Sequence, residues 1–288
     1  MRIAIDVSNI YHRAYAVVSG YENFNIQRKK YQIMLFKKFM TDITSIVRNI
    51  RQNADDTVIL CFDSKHYFRT NIDNKYKGNR AKKTQEFYDI INYIFTILNR
   101  HNLNAVKIDL LEADDLLCLS SNIDEEFTVL VSNDADIRQL VNENVVVYTA
   151  NSLNNKVYCS DLNVVKNKLP KYYKIAEKID VDYLKLEKLL LGDIGDNVSR
   201  IIRKGIGSSK IKKLYETMKG FSDIENHLEN PYFSIDFDEY KKQLKLVILN
   251  RDYMPKSAVK IFDNIRFTKN FPMYAEELIK DTKYDASF

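Results

Sequence analysis

Nine carboxylates fall into five short clusters whose residue types suggest one kind of chemistry. Asp6 closes "RIAID" and Asp63 closes "TVILCFD". Glu112, Asp114 and Asp115 share "EADD", Asp134 and Asp136 share "SNDAD", and Asp193 and Asp196 share "GDIGDN". Any one of them alone reads as a helix cap. Together they raise an energetic problem, because two carboxylates about 4 Å apart repel by roughly 4 kcal/mol at an effective dielectric near 20. Several such pairs would strain a domain whose whole stability is about 5–15 kcal/mol. The cost falls if the acids take up protons or if divalent cations bind among them. Oxygen ligands without His or Cys favour Mg²⁺ or Mn²⁺ over Zn²⁺. Two such cations about 4 Å apart are a recurring means of cleaving phosphodiesters, one activating water and the other stabilising the leaving oxygen. The acids therefore point to metal-dependent phosphoryl transfer.

Two basic stretches accompany them. Residues 65–83 carry seven Lys or Arg against Asp73 alone, and residues 200–219 carry seven against Glu216. In the first, "KYKGNR" offers Lys77 and Arg80 to neutralise charge developing on a phosphate, and Tyr76 to stack an unpaired base. In the second, "KGIGSSK" joins two helical stretches. Gly205 and Gly207 let the backbone approach a ligand, the amides at Ser208 open a helix suited to a phosphate, and Lys210, Lys212 and Lys213 add point charges. Taken alone, the first stretch reads as a solvated loop and the second as a plain helix–helix turn. Segregated charge of this kind marks an acidic site bordered by basic surfaces, although the net charge is only +5.

The elements that must position these residues follow from periodicity. "RIAID" (2–6), "TVILCFD" (57–63), "AVKID" (105–109), "TVLVSND" (128–134) and "VVVYTA" (145–150) are short apolar runs rich in β-branched residues, and "KVYCS" (156–160) reads as an edge strand. Helical spacing runs from Tyr31 to Ile50 and from Phe87 to Leu98. This alternation predicts an α/β fold with a mainly parallel sheet and helices on both faces. The C-terminal strand ends of such a sheet share one edge, where ligands bind. Seven of the acids would meet there, with Asp193 and Asp196 joining from the helical part. Glu112 and Asp115 are three apart and share a helical face. Asp114 is therefore expected to reach the metals only from the turn or through water.

After about residue 165 the pattern becomes helical, with helices at 183–193 and 208–219 and a last region from Phe237 onward, interrupted by Pro255 and Pro272. The expected division is an α/β core over 1–165 and a helical lobe over 166–288. At 288 residues with 45% apolar content the chain suits one large or two modest domains. No apolar run reaches membrane-spanning length and no signal peptide opens the chain, so a cytoplasmic protein is expected. Cys61, Cys118 and Cys159 lack CxxC spacing and suit reduced, buried thiols. The four His lack metal spacing, and no GxSxG, P-loop or GxGxxG occurs.

In order along the chain, "IAIDVSNI", "CFD", "YKGNR", "EADD", "SNDADIRQL", "GDIGDN" and "GIGSSK" resemble the 5′ nucleases, most closely the bacteriophage flap exonuclease and phage ribonuclease H branch. "LVILNRDYMP" (246–255) is also similar to a phage ribonuclease H segment. The resemblance implies a PIN-like core and two Mg²⁺ ions, replaceable by Mn²⁺, held by all nine acids, with Asp63, Asp115 and Asp134 at the catalytic centre. It implies that Lys77 and Arg80 act on the phosphate and that Tyr76 stacks a base. An arch is expected at about 75–100, and a helix–three-turn–helix at about 183–220 would bind duplex DNA, with K⁺ as a further ligand. Two departures stand out. Only 34 residues separate Lys77 from Glu112, short for the family's arch, and "NVSRIIRKGIG" lacks the usual proline and Gly-Val. The implied substrates are DNA 5′ flaps or ends and RNA–DNA hybrids, cut by a monomer in the cytoplasm (the host's, for a phage protein), with a single-strand binding protein as a partner. The alternatives are a PIN-type single-strand ribonuclease and a non-catalytic junction-binding protein.

Overall fold

The computed structural model describes residues 1–150, 155–228, 236–269 and 271. Seven strands, β1 (Arg2–Asp6), β2 (Thr57–Cys61), β3 (Ala105–Val106), β4 (Thr128–Val131), β5 (Val145–Thr149), β6 (Lys156–Cys159) and β7 (Ala176–Lys178), form one sheet in the order β3-β2-β1-β4-β5-β6-β7. Every neighbouring pair is parallel except β5–β6. The inner strands β1, β2 and β4 are buried at every position. That is why they read as continuous apolar runs rather than as alternating ones.

The helices in chain order are α1 (Val7–Ser19), α2 (Lys29–Ile50), α3 (Phe68–Ile72), α4 (Gln85–Arg100), α5 (Ala113–Ser120), α6 (Leu162–Lys168), α7 (Val181–Leu191), α8 (Ser208–Tyr215), α9 (Phe237–Val247) and α10 (Lys256–Asp263). One face of the sheet is covered by α1, α2 and α4 through Tyr11, Phe39, Ile43, Phe87 and Ile94. The other is covered by α5 and α10 through Leu116, Leu117 and Phe262. A third core joins α7, α8 and α9 through Leu189, Leu190, Ile211 and Leu244. Among the described residues, no helix is long and apolar enough to cross a membrane. The three cysteines are free and buried.

Three expectations about organisation need correction. The sheet does not end near residue 165, because β7 adds to it by pairing with β6. Nor is the C-terminal part only a lobe, since α10 packs onto the sheet's second face. The expected arch over 75–100 is mostly a core helix, because α4 buries Phe87, Ile90, Ile94, Ile97 and Leu98. The loop between α3 and α4 is mostly exposed from Asn79 to Thr84, while its Tyr76 is buried. Pro272 and the rest of the expected last helical region lie outside the described residues.

Candidate metal centre

The parallel sheet carries four acids to one edge. Asp6 ends β1 and caps α1, accepting from the Asn9 amide at 3.0 Å and from the Ser132 hydroxyl at 2.9 Å. Asp63 lies just past β2, accepts from Ser8, and takes the Ala113 amide at 2.8 Å. Asp134 follows β4 and caps a 3₁₀ turn (Ala135–Leu140) by accepting from the Asp136 amide. Asp114 joins them from the first turn of α5. Burial, then Asp63, pushes the Asp6 carboxyl up to about 7. Burial, then Asp6 and Asp134, raises Asp114 well above the usual carboxylate range. Asp6 and Asp134 cap a helix or turn, and Asp63 accepts a backbone amide nearby. Capping therefore explains where single acids fall, but it does not relieve the repulsion that gathers once four of them meet.

The remaining acids are met by cations. Lys188, on α7, bridges Asp136 at 2.6 Å and Asp193. Burial raises Asp136 despite that partner. Burial also works on Asp193, but Lys188 and the amides of Asp196 and Gly195 outweigh it and hold the carboxyl low. Asp196 is bound by Arg80 and stands 3.7 Å from Lys77. Its loop is fixed by Gly192, whose φ of +71° and contacts with Val198 and Ser199 leave no room for a Cβ.

The "KYKGNR" loop docks on this edge, as expected. The Lys77 amide donates to the Asp196 carbonyl at 2.8 Å, and its ammonium pairs with Glu112. Burial opposes the Lys77 charge, but Glu112 and Asp196 hold its pKa above the ordinary lysine value. Lys77 and Arg80 thus stand at the acidic edge. Tyr76 differs from expectation. It is 6% exposed, its ring lies in the third core, and its hydroxyl donates to Glu112 and Asp196, both at 3.0 Å. The ring is therefore closed to a base, and the hydroxyl serves to orient two acids.

The "EADD" cluster reverses the reading of its faces. Glu112 and Asp115 form a capping box and do share a side, but that side meets Arg69 of α3. Arg69 grips Asp115 with Nη1 at 2.8 Å and Nη2 at 2.7 Å, and reaches Glu112 at 2.9 Å. Asp115 is 0% exposed and also accepts the Glu112 amide. It holds an arginine rather than facing the edge, so a direct catalytic or ligand role does not fit it. Asp114, expected to reach the metals from the turn or through water, lies in the first turn of α5 near Asp6 and Asp134.

No motif in the sequence marks Arg69, Lys188, Ser8 or Ser132 as parts of this site. The only signal for Arg69 was indirect, since Asp115 in an apolar helix requires a buried cation somewhere. In the helical part, Gly205 has φ +87° and Gly207 precedes α8, with no neighbour within 4 Å of a Cβ at either position. Ser208, Lys210 and Lys212 are exposed.

Among the described residues, no three His, Cys, Asp or Glu side chains are gathered closely enough to hold a metal as they stand. The donor chemistry nevertheless fits a hard divalent cation. The donors are all oxygen, Asp6 and Asp114 hold protons unusually well, and an ammonium already bridges Asp136 and Asp193.

Residues 2–170 match the family model described as the 5′–3′ exonuclease, N-terminal resolvase-like domain. A 5′–3′ exonuclease of Mycoplasmopsis pulmonis (strain UAB CTIP) is 27% identical over 298 aligned residues, spanning 99% of this chain and 91% of that protein. Among solved structures, T5 D15 protein co-crystallised with metal ions superposes with a TM-score of 0.66 at 18% identity, covering 91% of this chain and 96% of that one. A bacteriophage T5 D15 flap endonuclease in complex with DNA and metal ions gives 0.63 at 18% identity, covering 97% and 99%. These two likenesses establish the shared fold.

Proposed function

The chain belongs to the 5′–3′ exonuclease family and is a nuclease, and from that premise we propose that it is a structure-specific enzyme hydrolysing DNA near 5′ ends and flaps with two Mg²⁺ or Mn²⁺ ions. The observation carrying this reading is the meeting of Asp6, Asp63, Asp114 and Asp134 at one sheet edge beside Lys77 and Arg80. In this reading those four acids hold one ion, and Asp136, Asp193 and Asp196 hold the other. When bound, the ions would lower the pKa of a water and neutralise the leaving oxygen.

The chain's own groups supply the rest. Lys77 and Arg80 stabilise the charge that develops on the reacting phosphate. Glu112 and Tyr76 orient Lys77 and Asp196. Asp115 acts through Arg69. The exposed Lys210 and Lys212, with Gly205, Gly207 and Ser208 at the start of α8, grip the duplex backbone. The loop there is also the place for any K⁺ ion. The flap substrate is supported by the DNA complex of a protein sharing the fold.

RNA primers hybridised to DNA are the second substrate to be compared. The test uses a 5′-labelled DNA flap and a 5′-labelled RNA–DNA hybrid, with Mg²⁺ or EDTA. Mg²⁺-dependent release of short 5′ products from the flap is expected. Tight flap binding without cleavage in Mg²⁺ or Mn²⁺ would refute the proposal.

A further inference from the structure

The C-terminal end of α9 ties together parts of the acidic edge that are far apart in sequence. The last carbonyls of a helix have no partner within it. Here two side chains from the sheet region take them. Arg69 Nε donates to the Leu246 carbonyl at 3.1 Å, and Gln139 Nε2 donates to the Val247 carbonyl at 3.3 Å. Gln139 Oε1 also accepts the Leu249 amide at 2.8 Å. A guanidinium at a helix C-terminus is favoured by the helix dipole as well. The segment 246–255 has no evident role in the sequence alone, and these hydrogen bonds supply one.

Both side chains also reach the acids. Arg69, 3% exposed, spends its remaining donors on Asp115 and Glu112 at the start of α5. That start is where Asp114 lies. Gln139, 5% exposed, sits on the 3₁₀ turn that begins with Asp134 and carries Asp136. Leu246, Val247 and Leu249 line the cleft that holds Glu112, Asp114, Asp136, Asp193 and Asp196. The same α9 packs in one core with α7, which leads into Asp193. One helix end thus reaches the 3₁₀ turn through Gln139 and the start of α5 through Arg69, while the body of α9 packs beside α7.

We infer that Arg69 and Gln139 are positioning residues, through which the segment Leu246–Leu249 sets α5 and the 3₁₀ turn at the spacing needed to bind a divalent cation. This rests on the metal-dependent reading above. A simple structural role makes a different prediction. Buried hydrogen bonds that only stabilise the fold would change its melting temperature and leave the metal affinity of folded molecules alone. Removing a residue that holds two ligand-bearing elements at their spacing instead weakens the metal affinity of folded molecules, comparably to the about 10–100-fold lost when a group touching a ligand is removed.

The test measures Mn²⁺ binding by the full chain, from the electron paramagnetic resonance of free Mn²⁺, with the folded fraction of each sample fixed by circular dichroism. Gln139→Leu keeps the side chain's bulk and changes no charge. Arg69→Lys keeps the charge and loses the fork. Mn²⁺ affinity per folded molecule should fall by about 10–100-fold in both variants. If Arg69→Lys does not fold, Gln139→Leu decides alone. Folded Gln139→Leu protein with wild-type Mn²⁺ affinity would overturn the inference. Wild-type protein that takes up no Mn²⁺ would overturn the metal reading itself, and this inference with it.

Discussion

Asp6 is buried, and burial with the neighbouring Asp63 moves its carboxyl from 3.8 to about 7. Between those values the folded, metal-free chain keeps a proton that the unfolded chain has released. Stability must therefore fall as pH rises through that window. A bound cation replaces the proton, so Mg²⁺ should flatten the fall. The measurement is thermal melting at several pH values from about 4 to about 7, in EDTA and in Mg²⁺. A metal-free melting temperature that climbs through the window would contradict this account of Asp6. Lys77 shows the opposite balance, since Glu112 and Asp196 outweigh its burial and keep it charged for a phosphate. At this scale the sequence was partly legible. The positions of the acids followed from strand ends, but their directions did not. "EADD" on a helix suggests that residues three apart share a face, which is correct. Which face meets the edge depended on Arg69, and a buried arginine on a five-residue helix leaves no periodic trace.

At the scale of elements, legibility followed burial. The runs that became β1, β2, β4 and β5 are buried at every position and so stood out. β7, "AEK", is three residues long and mostly exposed, so nothing in its pattern marks a strand. α4 is legible as a helix, while the arch expected to include it was not a matter of periodicity at all. Its role in the core depends on Phe87 and Ile94 packing under α1 and α2, which no local pattern announces. The α7–loop–α8 unit makes its own prediction. Ser208, Lys210 and Lys212 are exposed there, with two glycines leaving the approach open. Replacing Lys210 and Lys212 with Ala should weaken duplex binding in EDTA. It should also lower the slope of log affinity against log salt by about 0.9 for each phosphate no longer neutralised. An unchanged slope would place the duplex elsewhere.

For the whole molecule, a net charge of +5 conceals an acidic edge flanked by basic segments. In the proposed reading, that arrangement would draw a polyanion toward the surface while the edge itself would take cations. The fold serves this by letting four parallel strands, a docked loop and a helical part all end at one place. On the proposed reading, the acids at this edge perform hydrolysis and do not merely hold the substrate. Single-turnover cleavage of a 5′-labelled flap in Mg²⁺, alongside flap binding in EDTA, tests it with Asp134→Ala. Cleavage should be abolished while binding stays within about twofold of wild type, because Asp134 lies away from the proposed duplex-binding residues of α8 and its loss would affect transition-state stabilisation. Normal turnover by folded Asp134→Ala protein would contradict it.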